Sequence, residues 1–73
     1  MSRLVRLDRS GHTTLAEWTA GDEGAIADAV RTFRSELDAG MLASATRDGT
    51  AEVVRELPLD AELVILRRPI SGG

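Results

Sequence analysis

The stretch Glu62-Leu63-Val64-Ile65-Leu66-Arg67-Arg68-Pro69-Ile70-Ser71-Gly72-Gly73 decides how this chain is read. Four aliphatic residues, Leu63 to Leu66, follow one another without a polar break. A half-buried strand alternates apolar and polar side chains, whereas an unbroken apolar run fits a strand covered on both faces, inside a sheet. The run comes late in the sequence, so the last strand is expected to take a central place. Arg67, Arg68 and Pro69 end it, because proline has no N–H to give to a ladder. Ile70, Ser71, Gly72 and Gly73 carry little apolar bulk. Residues 69–73 are therefore expected to be a flexible tail on a domain of residues 1–68.

Residues 22–40, DEGAIADAVRTFRSELDAG, carry the helix signal. Ile26, Val30, Phe33 and Leu37 fall on one stripe of a 3.6-residue period, and Ala29 widens it. Asp22 is placed to accept from the free amides of the first turn, and Glu23 puts negative charge at the positive end of the helix dipole. Gly40 can take the left-handed conformation that ends helices. A stripe this narrow lies across one apolar surface.

Two hairpins flank the helix. In residues 3–19, RLVRLDRSGHTTLAEWT, Ser10-Gly11 is a turn signal between β-formers. With Ser10 and Gly11 as the loop, Val5, Leu7, Ala16 and Trp18 share a core face, and Leu4, Arg6 and Leu15 share the opposite one. Trp18 reads as a core anchor. In residues 41–56, MLASATRDGTAEVVRE, Asp48-Gly49 is the stronger turn signal. Ala43, Ser44 and Ala45 have poor β-propensity, so this pair is expected to be short or edge-like. Residues 57–61, LPLDA, read as a loop.

Composition narrows the function. The chain has 73 residues, one histidine and no cysteine, so a disulfide framework and a conventional zinc site are excluded. A domain of this size buries only about 60% of its unfolded surface, and packing alone must hold it. Twelve acidic and nine basic residues give a net charge of −3, which argues against wholesale nucleic-acid binding. No apolar run approaches the ~20 residues of a membrane helix. The start, MSRLVRLDRSGH, lacks a secretion signal, and a cytoplasmic monomer with protein partners and no membrane is expected. All nine basic residues are arginine, so no side-chain amine is available for a Schiff base or an isopeptide bond.

Candidate chemistry is sparse. Asp8, Ser10 and His12 crowd one hairpin turn, where solvated turn residues are the better reading than a catalytic trio. Arg3, Arg6 and Arg9 alternate faces and make no basic stripe. There is no glycine-rich phosphate loop and no metal constellation; no enzyme activity and no cofactor are expected. An apolar patch of Leu4 and Leu15 with Val64 or Leu66, rimmed by Arg6 and Arg68, is expected on the open sheet face as a docking surface.

The order hairpin, helix, hairpin, final strand, tail resembles the ubiquitin-like β-grasp family over the whole chain. The resemblance rests on element order, length and the terminal Gly72-Gly73. It implies an α+β fold with a mixed four- to five-stranded sheet, ββαββ in order, in which the first and last strands lie parallel at the centre and one helix crosses one face. It also implies that Gly73 is the reacting residue, adenylated by an activating enzyme and passed to a thioester or thiocarboxylate, with Gly72 its narrow approach. Glycine suits both positions because a side chain would block close backbone approach. The chain departs from ubiquitin in having Pro69 and Ile70 before Ser71, and no lysine. It could not build lysine-linked polymers on itself, which favours a sulfur carrier or single-copy modifier. The alternative is a non-covalent β-grasp adaptor that binds protein partners by its open sheet face, in an assembly, secretion or phage-derived system.

Overall fold

The described residues form five strands and one helix: β1 (Ser2–Asp8), β2 (Gly11–Trp18), α1 (Glu23–Asp38), β3 (Leu42–Arg47), β4 (Thr50–Val54) and β5 (Leu63–Arg67). The computed structural model describes residues 1–69. The strands form one mixed sheet in the order β2-β1-β5-β3-β4. Three strands follow the helix, so the chain order is ββαβββ rather than ββαββ. β5 lies in the middle, parallel to β1 on one side and antiparallel to β3 on the other. The expectation for residues 63–66 is met: every β5 residue from Leu63 to Leu66 is paired on both sides.

The helix forms where the periodicity places it, and both its ends are closed by the expected residues. The Asp22 carboxylate accepts from the Ala25 amide at 3.1 Å, which satisfies one donor that the first turn leaves free. Gly40 has φ of +97°. Its N–H donates to the Leu37 carbonyl at 2.9 Å, and that of Met41 to the Glu36 carbonyl at 3.0 Å. This paired closure of the last carbonyls requires the left-handed residue that only glycine adopts without strain.

The core lies between α1 and one sheet face. Leu4, Trp18, Ala29, Phe33, Ala43, Ala45, Ala61, Val64 and Leu66 form it. Phe33, Leu4, Leu66 and Val64 are its largest fully buried side chains, each stabilising by about 1.5–3 kcal/mol. The alanines explain why a weak strand sequence holds an interior place. β3 lies between β5 and β4, and Ala43 and Ala45 face the core. Their burial in the core outweighs their low β-propensity. The edge strand of this hairpin is β4 alone.

The two turns divide the outcome. Asp48 and Gly49 both have positive φ, +49° and +78°, between the paired Arg47 and Thr50. This is the mirror-image two-residue turn expected of Asp-Gly. The first hairpin turns one residue earlier than expected. Asp8 pairs with Gly11, so Arg9 and Ser10 form the loop. Asp8 favours that placement because its carboxylate accepts from the Ser10 N–H at 2.9 Å and hydroxyl at 2.6 Å, a local turn that aspartate side chains commonly stabilise.

Trp18 fastens the loop that feeds β5. It is 2% exposed, and its indole N–H donates to the Leu59 carbonyl at 3.2 Å. Asp60 meets Arg47 at 3.0 Å, Ala61 is buried, and the Arg3 amide donates to the Glu62 carbonyl at 3.0 Å. Trp18→Phe keeps most of the apolar bulk but leaves the half-buried Leu59 bond unmade. Urea unfolding is expected to show a loss of about 1–2 kcal/mol, against about 3–5 kcal/mol for Phe33→Ala.

Candidate functional site

Among the described residues, no element covers the sheet face opposite α1. Alternation of side chains along each strand assigns its members. In β5, Val64 and Leu66 point to the core, so Leu63, Ile65 and Arg67 point to the open face. In β3, Ala43 and Ala45 point to the core, and Leu42, Ser44 and Thr46 point outward. In β1, Leu4 points to the core, and Arg3, Val5 and Leu7 point outward.

Strand register sets these residues in rows. Thr14, Val5, Ile65, Ser44 and Val53 lie side by side across all five strands. Glu17, Arg3, Leu63, Thr46 and Ala51 form the next row. On the other side, Arg67 pairs with Leu42, and Leu7 stands one residue beyond the last β1–β5 pair. Val5 is 5% exposed yet lies outside the core cluster, because its own row covers it. Leu7, Leu42 and Val53 are exposed. The result is an apolar centre at Val5 and Ile65, extended by exposed aliphatic residues and flanked by Arg3 and Arg67.

The residues expected to line this face are mostly elsewhere. Leu4, Val64 and Leu66 are fully buried in the core beneath the helix, so they cannot be docking residues. Arg6 turns to the helix side, where its guanidinium meets the Glu36 carboxylate at 3.0 Å. That pair is partly exposed, and such pairs stabilise by at most about 1 kcal/mol. Leu15 is half-buried against the core. Val5 and Leu7, expected in the core, occupy the open face instead. Trp18 and Ala16 lie on the core side as expected. Arg68 is exposed just beyond β5. Gly72 and Gly73 lie outside the described residues.

The exchange of faces has a local cause. Leu4 pairs with Ala16 but Val5 pairs with Thr14, leaving Leu15 as an extra residue in β2. A bulge of this kind shifts the alternation by one position. The bulge alone moves Leu4 from the water side to the core side, since turning one residue earlier leaves the alternation unchanged. Little in the sequence marks the bulge, because Thr13, Thr14 and Leu15 all suit a regular strand. A usable signal was present in β1 itself, where Leu4 and Val5 are adjacent and both faces of a central strand need apolar cover.

Asp8, Ser10 and His12 do not assemble a reactive group. Ser10 donates its hydroxyl to Asp8, and its pKa effect falls on the carboxylate, which is held below the ordinary aspartate value chiefly by that hydroxyl and then by the Ser10 N–H. His12 has no hydrogen bond to either residue among the described contacts. No cluster of three or more His, Asp or Glu residues able to hold a metal occurs among the described residues. No described helix is long and apolar enough to cross a membrane. The concavities at Ala27–Asp38 on the outer helix face and at Arg47–Pro58 are open surface depressions.

Comparison with family models, with curated proteins and with solved structures finds no match to this chain.

The face assignment predicts an unequal pair of variants. Leu4→Ala is expected to cost about 2.5–5 kcal/mol in urea unfolding. Leu42→Ser, on the open face at 41% exposure, is expected to cost less than about 1 kcal/mol, since little further area returns to water. Equal losses would contradict the assignment.

Proposed function

We propose that the chain is a ubiquitin-like β-grasp protein that serves as a single-copy protein modifier or sulfur carrier, its reactive group being the carboxylate of Gly73. What supports this reading is the position of β5. The strand that precedes the terminal segment is paired on both sides at the centre of the sheet and parallel to β1. One helix covers one face. Arg67, Arg68 and Pro69 are exposed where the chain leaves the sheet, four residues before Gly73. A segment leaving an anchored central strand is suited to entering an enzyme's channel while the folded body stays outside. Adenylation would join the carboxylate of Gly73 to AMP from ATP with release of pyrophosphate. Attack by a thiol or a sulfide donor would then displace AMP to give a thioester or thiocarboxylate.

A second reading has its own observation. The open face carries Val5, Leu63 and Ile65 with exposed Leu7, Leu42 and Val53, between Arg3 and Arg67. An apolar surface with a charged rim suits non-covalent docking of a protein partner, and an adaptor would need nothing more.

One experiment separates the two. A chain ending at Gly73 is incubated with ATP and a cognate activating enzyme, and its intact mass is measured. The carrier reading predicts an adenylate, or the mass of one oxygen replaced by sulfur, and predicts loss of both when Gly73 is deleted. The adaptor reading predicts an unchanged mass and a partner complex that survives deletion of Gly72 and Gly73 but is lost in the double variant Leu7→Ser, Leu42→Ser.

A further inference from the structure

We draw no further inference here: the strongest candidate, the open sheet face where Val5 and Ile65 lie among exposed Leu7, Leu42 and Val53, carries nothing beyond the docking reading already given, because nothing in the structure shows what covers it.

Discussion

The structure depends on one constraint: the last strand must be gripped from both sides. β5 is hydrogen-bonded to β1 and to β3, which lie far apart in sequence and in different hairpins. Without β5 the sheet is two separate hairpins, and an isolated hairpin is marginally stable at best in water. Val64 and Leu66 fill the core beneath the helix, while Leu63 and Ile65 cover the opposite face. Residues 63–66 are apolar at every position because each face asks for it. The unbroken run Leu63–Leu66 is the imprint of that demand.

The loop before β5 follows from the same constraint. A strand that closes a sheet non-locally carries a loop-closure cost, and the reach from β4 to the centre must be held. Trp18 anchors Leu59, Arg47 meets Asp60, and Arg3 takes the Glu62 carbonyl. Each contact joins this loop to a different strand of the sheet. The core compensates for its small size by concentrating bulk in Trp18, Phe33, Leu4, Val64 and Leu66 and lining the rest with alanine.

Much of the fold was legible because its signals are local. The helix limits follow from Asp22 and Gly40, the second hairpin from Asp48-Gly49, and the central place of β5 from an apolar run. The open face was not legible. Its membership depends on register, and a single extra residue at Leu15 reverses the parity of β1 relative to β2. Leu4 and Val5 are both apolar and both buried, so hydropathy alone does not tell them apart. Arg6 was misplaced for the same reason, and only Glu36, thirty positions away in sequence, reveals its side. β3 was underrated because alanine is a poor strand former in isolation, whereas here Ala43 and Ala45 are buried in the core of a strand paired on both sides.

Native-state hydrogen exchange at β5 tests the central claim most directly. The account predicts that the amides of Val64, Ile65 and Leu66 are among the slowest in the chain, exchanging only through global unfolding and following its urea dependence. Exchange at these amides through local opening, at free energies no higher than those of the edge strand β4, would contradict it.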